Sequence, residues 1–344
     1  MPGHTTIKDV AKKAGVSITT VSFVLNKRPD VMISAEVRKR VIAAAQDLDY
    51  HPSAMAAGLA GRRSRNLGIV FGPGGQSISN PFYSFVVEGF IREVMEKGYN
   101  ILFSRIEGPY EGPSTLPKFV REKNCDGLIL VAHSEPAMVR DLADRKVPVV
   151  LVDNYPEIEG VNCVHIDNRT GGRLAAEHLV RLGHKNILLM TLGGNSRRPS
   201  LEEREAGFIQ ELQQSGRKLP KECVLECDDL SFHRAHETAL EYFKKTKKPA
   251  AIFAVNDEMA GGVLKAAAES GRSVPGDVSV MGFDNIIMAS YTVPALSTIS
   301  VAKEHLGRMA ASRLLEIIET KDKTVKRELA PVELIIRAST GKPG

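Results

Sequence analysis

From residue 66 onward the chain alternates short runs of branched apolar residues with stretches whose apolar residues recur every three to four positions. This alternation is the strongest constraint on the fold. A strand, a helix and a second strand in succession bring the two strands parallel, and helices must then cover both faces of the sheet. Runs at 67–71, 100–103, 127–131 and 147–152 make one series of strands. Runs at 161–166, 186–190, 222–226, 250–254 and 278–283 make a second. Helical spacing occupies 82–97, 170–182, 202–214, 233–244 and 257–269. Two series predict two lobes, with a ligand bound beyond the carboxyl ends of the strands, most naturally between the lobes.

Residues 1–65 follow another rule. Thr6 can cap a short helix with Asp9 in its first turn, and Ile7, Val10, Ala11 and Ala14 share one face of it before Gly15 ends it. Ser17 can cap a second helix with Val21, Val24 and Leu25 inside, and a third opens at Ser34 and buries Val37, Val41, Ala45 and Leu48. Two short helices joined by a Gly-containing turn and braced by a third make a helix-turn-helix unit. Pattern alone also allows a small three-helix bundle with no role on DNA. The outward face of the second helix argues against that: it presents Ile18, Thr19, Ser22, Phe23 and Asn26, groups suited to phosphates, base edges and thymine methyls. A solvated face would carry Glu and Lys instead. Charge agrees, because residues 1–65 hold eleven Lys or Arg against five acids, a net +6 in a chain whose total is +5. A basic small unit attached to a near-neutral large one is the electrostatic footprint of nucleic-acid binding.

Other functions find little support. Gly72-Pro-Gly-Gly75 follows a strand without GxGxxG spacing, and neither a Walker lysine motif nor a GxSxG elbow occurs, so the chain is not expected to be an enzyme. His233 and His236 stand three apart on a helix without an evident third ligand, and Cys223 and Cys227 lack a second pair at finger spacing. No metal and no cofactor is expected. The four cysteines, with Cys125 and Cys163, form no disulfide framework. The sequence lacks the run of about 18 apolar residues that a membrane span needs, and Met1 to Val10 hold no signal-peptide core, so a cytoplasmic protein is expected.

Both regions together resemble a known family. TIKDVAKKAGVS from Thr6 to Ser17, TVSFVLN from Thr20 to Asn26, the stretch from Val37 to Leu48, and YHPS ending at Ser53 resemble the headpiece of the lactose-repressor family. NPFY at 80–83, VPVVLVD at 147–153, LGHKNI at 182–187, REAGF at 204–208, Asn256-Asp257, VMGFD at 280–284, PALSTI at 294–299 and LIIRAS at 334–339 continue the match in order. The resemblance implies a helix-turn-helix DNA-binding headpiece over 1–51, a hinge helix and linker over 52–65, and a two-lobed α/β effector-binding and dimerisation domain over 66–344. That domain is similar to type I periplasmic binding proteins, with a first lobe at 66–163 and 300–327 and a second at 164–299 and 328–344. The implied function is that of a homodimeric transcriptional repressor on a near-palindromic double-stranded operator. A small-molecule effector, a sugar or sugar derivative, would bind between the lobes and shift operator affinity.

The resemblance also assigns residues. Thr6, Ser17, Ile18, Thr19, Thr20, Ser22, Phe23 and Asn26 are the implied headpiece contacts, and Ser53, Ala56 and Leu59 the implied hinge contacts. Leu59 stands at the position of the wedge that opens the minor groove. Phe23 departs from the family, which often has Arg or His there; Phe cannot make the paired hydrogen bonds by which Arg reads guanine. Asp153, Ser200, Arg204, Asn256 and Asp284 are the implied polar effector contacts, with Phe82 and Tyr83 as aromatic contacts from a loop. Carboxylates accepting from hydroxyls, Arg and Asn bonding ring oxygens, and aromatic faces form a coherent sugar-binding set. Each polar residue also has a structural alternative as a salt bridge or turn cap. Arg204 and Asp284 are expected to meet, and the aromatic usual near the start of the helix after Cys227 falls on Leu230, with Phe232 two residues on.

Overall fold

In the small N-terminal unit, helix α1 (Ile7–Ala14) starts where Asp9 and Thr6 close a capping box. The Asp9 carboxylate accepts the Thr6 backbone N–H at 2.9 Å and the Thr6 hydroxyl at 2.7 Å. The helix ends at Gly15, whose φ of 64° is a left-handed conformation glycine takes without strain. Arg40 donates to the Ala14 and Gly15 carbonyls that the helix end leaves over. Helix α2 (Ile18–Leu25) is capped by Ser17, whose hydroxyl accepts the Thr20 N–H at 3.1 Å, and α3 (Ala35–Asp47) by Ser34, which accepts from Val37. Val10, Val21, Val24, Val41, Ala44 and Ala45 make the core, with Val37 and Leu48 packed partly buried against it.

The computed structural model describes residues 5–25, 31–50, 63–73, 77–132, 135–153, 158, 160–194, 198–322 and 324–344. Asn26 and the hinge residues Ser53, Ala56 and Leu59 lie outside the described residues. Met1–Arg65 and Asn66–Gly344 are separate units. No described helix is long and apolar enough to cross a membrane.

The larger unit runs β1 (Asn66–Phe71), α4 (Pro81–Glu96), β2 (Asn100–Arg105), α5 (Lys118–Arg121), β3 (Gly127–Val131), α6 (Pro136–Asp144), β4 (Val149–Val152) and β5 (Asn162–Ile166). It continues with α7 (Asn168–Arg181), β6 (Ile187–Leu192), α8 (Pro199–Gln214), β7 (Val224–Cys227), α9 (Phe232–Lys245), β8 (Ala250–Ala254), α10 (Asp257–Glu269), β9 (Val278–Asp284) and β10 (Ser297–Val301). Last come α11 (Lys303–Thr320), β11 (Arg327–Ala330) and β12 (Val332–Ile335). One six-stranded sheet has the order β11-β5-β4-β3-β1-β2 and the other β12-β10-β9-β8-β6-β7. All pairings are parallel except β10 with β12. Strands such as β3 and β8 are buried at every position, as parallel strands covered on both faces must be.

The strand expected at 161–166 in the second series belongs to the first sheet, paired with β4 and β11. The chain passes between lobes at Asp167, Ala302 and Pro331, each a few residues beyond the expected boundaries. The physical reason is that β5 and β11 complete the first sheet before the chain leaves it, and β10 completes its pairing in the second. The carboxyl ends of β4 and β9 carry Asp153 and Asp284, where a ligand of such sheets is held.

Candidate functional site

The headpiece face is built on α2. Ile18 is 43% exposed, Ser17 and Thr19 are exposed, and Thr20, Ser22 and Phe23 are half-buried on the same short helix. The Ser17 and Thr20 hydroxyls lie 2.9 Å apart, so both take part in the cap as well as facing outward. Val21 and Val24 point into the core and fix the helix, so Ser22 and Phe23 between them stand on a rigid support. Thr6 precedes α1, with its hydroxyl on Asp9.

In the larger unit, four predicted residues come together. Tyr83, on the first turn of α4, donates its hydroxyl to Asp153 Oδ2 at 2.8 Å. Arg204, on the second turn of α8, is 4% exposed; its Nε donates to Asn168 at 2.7 Å and one Nη to the Val255 carbonyl at 2.6 Å. Its other Nη lies 3.3 Å from Asp284 Oδ1, and its guanidinium plane covers the Phe283 ring at 3.8 Å. Charges of the two lobes act on each other here, Arg204 on Asp153 and Asp153 on Asp284. Burial raises both carboxyls, Asp284 to about 6, against the opposing pull of Arg204. Burial, then the adjacent Asp153, holds the Tyr83 hydroxyl well above the ordinary phenol range.

Two oxygens in this cluster are unsatisfied. Among the described residues, Asp153 Oδ1 and Asp284 Oδ1 are buried without a hydrogen bond, the latter near Arg204 but not aligned with it. Unmet buried acceptors of this kind ask for donors. A cavity of about 420 Å³ lies between the lobes, lined by Asn80 and Pro81 from one and by Arg198, Leu230, Asn256 and Glu258 from the other; none of the four clustered residues lines it, and the charge of Arg198 links its wall to Asp153. Asn80 Nδ2 reaches Glu258 Oε1 at 3.3 Å across the lobes.

Other predicted residues stand differently. Phe82 and Tyr83 lie on α4, not in a loop, because the Asn80 side chain caps that helix and Pro81 begins it. Phe82 is 5% exposed and packs edge-on against Tyr83, so neither ring offers an open face. Asn256 caps α10, accepting the Met259 N–H at 2.7 Å and donating to the Leu230 carbonyl at 3.2 Å, the structural role open to it from the start. It still lines the cavity. Ser200 sits one turn before Arg204 on α8. Leu230 lines the cavity, whereas Phe232 lies against Gly261 of α10.

Sequence reasoning missed Arg198, Glu258, Asp257 and Lys303. Arg198 ends the connection after β6, and its charge reaches Asp153 and Tyr83. A basic pair just before the Pro199 helix start was the available signal. Asp257 is 4% exposed; its carboxylate accepts the Ile286 N–H at 2.8 Å and the Thr298 hydroxyl at 2.6 Å. Burial, then the neighbouring Asp284, pushes it up to about 8. His233 and His236, weighed as metal ligands, face Glu237 and Glu269, and Cys223 and Cys227 are free thiols.

Comparison with known proteins gives the same architecture. Residues 6–53 match the bacterial regulatory proteins of the lacI family, and 176–340 match a periplasmic binding protein-like domain. The chain is 34% identical to the HTH-type transcriptional repressor PurR of Photobacterium profundum, over 97% of this chain and 98% of that protein. It is 31% identical to PurR of Vibrio campbellii, over 98% and 99%. Among solved structures it is similar to the lac repressor dimer bound to operator and the anti-inducer ONPF, with TM-score 0.84, 29% identity, and 98% and 100% of the two chains covered. It is also similar to the transcriptional regulator CelR in complex with cellobiose, with TM-score 0.70, 26% identity, and 97% and 99% covered. With helix-turn-helix, paired parallel sheets and whole-length similarity in agreement, the chain belongs to the LacI family of DNA-binding transcriptional repressors.

Proposed function

We propose that this repressor acts as a homodimer on a near-palindromic operator and that a small, donor-rich molecule bound between its lobes sets its operator affinity. The observation that carries the ligand reading is the pair of buried, unsatisfied carboxylate oxygens, Asp153 Oδ1 from the first lobe and Asp284 Oδ1 from the second. A molecule that donates to both joins the lobes, and a ligand can shift an equilibrium only by binding one arrangement better than another. Arg204 adds charge-assisted donors for an acceptor on the same molecule. Sugar hydroxyls supply donors and acceptors on one ring, so a sugar or sugar derivative is the first reading. Similarity to PurR proteins favours a second, a purine, whose ring N–H and exocyclic amine groups are also donors.

In the headpiece, Ser17, Ile18, Thr19, Thr20, Ser22 and Phe23 read the major groove from α2, with Thr6 at the backbone. Two headpieces are needed because one recognition helix gives little discrimination. Calorimetry with ribose, cellobiose, hypoxanthine and guanine tests the ligand reading, with wild type set against Asp153→Asn and Asp284→Asn. One ligand class should bind, and both variants should weaken it. Binding undiminished in both variants would move the ligand elsewhere. Sedimentation of the full chain with and without selected operator DNA tests the dimer.

A further inference from the structure

Lys303 is the first residue of α11, the helix with which the chain re-enters the first lobe, yet its ammonium serves the second. Nζ donates to the Asp284 carbonyl at 2.7 Å, the Asn285 carbonyl at 2.8 Å and the Val301 carbonyl at 3.4 Å. Three carbonyl acceptors match the three donors of the ammonium on this half-buried side chain. Asp284 has φ of 101°, a conformation that a non-glycine residue keeps only when its surroundings impose it, and Asn285 follows at 50°, in the left-handed region that Asn enters readily. Asp257 and Arg337 also hold this turn, through the Ile286 N–H and Asn285 Oδ1. Both of those belong to the second lobe. Lys303 reaches the turn from the other lobe's helix.

Within its first turn or so, α11 meets α4 backbone to backbone. A Cβ on Gly89 would collide with the Glu304 carbonyl, and one on Gly307 with the Val86 carbonyl. Helices in such contact are displaced together, because packed interiors transmit strain rather than absorb it. The first turn of α4 carries Phe82 and Tyr83, and the Tyr83 hydroxyl holds Asp153. A path of contacts therefore joins the backbone turn that carries Asp284 to the Asp153 carboxylate without passing through a ligand.

We propose that Lys303 is the positioning residue of this cleft, clamping the Asp284–Asn285 turn to the α11–α4 pair so that the arrangement at Asp284 sets the position of Tyr83 and Asp153 on the opposite wall. The inference rests on the cleft being the ligand site, but its test needs no ligand. A failed ligand screen and a failed clamp are therefore separate results.

The experiment is hydrogen exchange on the full chain, read by mass spectrometry, for wild type, Lys303→Met and Lys303→Arg. Losing the clamp should speed exchange about tenfold both at 284–287 and at 82–88 on α4, while β3 and β8 keep their protection. Lys303→Arg, which can still donate to the carbonyls, should return 82–88 toward the wild-type rate. Faster exchange confined to 284–287 and the start of α11 would overturn the proposal, leaving Lys303 a local staple; so would no change at either place. If Lys303→Met also exposes β3 and β8, Lys303→Gln, which keeps an amide donor, is judged by the same two segments.

Discussion

Replacing Asp257 with Asn should reshape the pH dependence of stability. In the folded protein this carboxyl is pushed up to about 8 by burial and by Asp284, against 3.8 for the free group. Its folded value is raised, so its contribution to stability is fully present below the unfolded value and is lost as pH rises toward 8. Each unit inside that window is worth about 1.4 kcal/mol, so going from pH 5 to pH 8 removes roughly 3–4 kcal/mol through this one group. Asn preserves the geometry: its carbonyl can accept the Ile286 N–H and its amide can donate to the Thr298 hydroxyl, the two partners Asp257 has now. The stability difference between Asp257→Asn and wild type should therefore move in favour of Asn by about 3 kcal/mol across that pH range. Denaturant unfolding at pH 5, 6, 7 and 8 measures it. Parallel pH profiles for the two proteins would show that Asp257 stays ionised in the fold, and the reasoning from burial would be wrong.

Three further outcomes are expected. Arg204→Ala should weaken binding of whichever screened ligand is found by about 1.5–3 kcal/mol, as for loss of a hydrogen bond to a charged group, with operator affinity in its absence little changed; calorimetry beside DNA titrations decides, and normal ligand binding would make Arg204 purely structural. Gly172→Ala should lower stability by about 1–3 kcal/mol, because the new methyl meets the Arg204 carbonyl where α7 crosses α8; an unchanged melting temperature would refute the close contact. Phe23→Arg should change the preferred base at one symmetric position per half-site, and an unaltered preference in a randomised-site selection would remove Phe23 from readout.

Much of the fold was legible because its signals are local. Helix α10 is found at 257–269 as expected, and β3 and β8 match their expected spans, since each is a continuous apolar run or a clear helical period between turn signals. The sheet membership of 161–166 was not legible: no local property of Asn162–Ile166 says whether it pairs with β4 or with a strand of the next lobe. The edge strands β11 and β12 were equally obscure, being four residues each with mixed burial. In the cleft, Arg204 and Asp284 were found through a family resemblance rather than through chemistry. Lys303 could not be found that way, because its partners are backbone carbonyls, which look alike at every position of a sequence.

The three passages between the lobes decide how the protein can be made and cut. Neither lobe is a continuous stretch of chain: the first sheet needs β11, at 327–330, and the second needs β12, at 332–335. During synthesis the headpiece has all its residues early, whereas both lobes wait for nearly the last part of the chain to emerge. A stop codon near residue 325 would thus strip an edge from both sheets at once rather than delete one lobe. A gene fusion that borrows the sensor must keep everything from β1 to β12 together, since a cut between them leaves neither half intact.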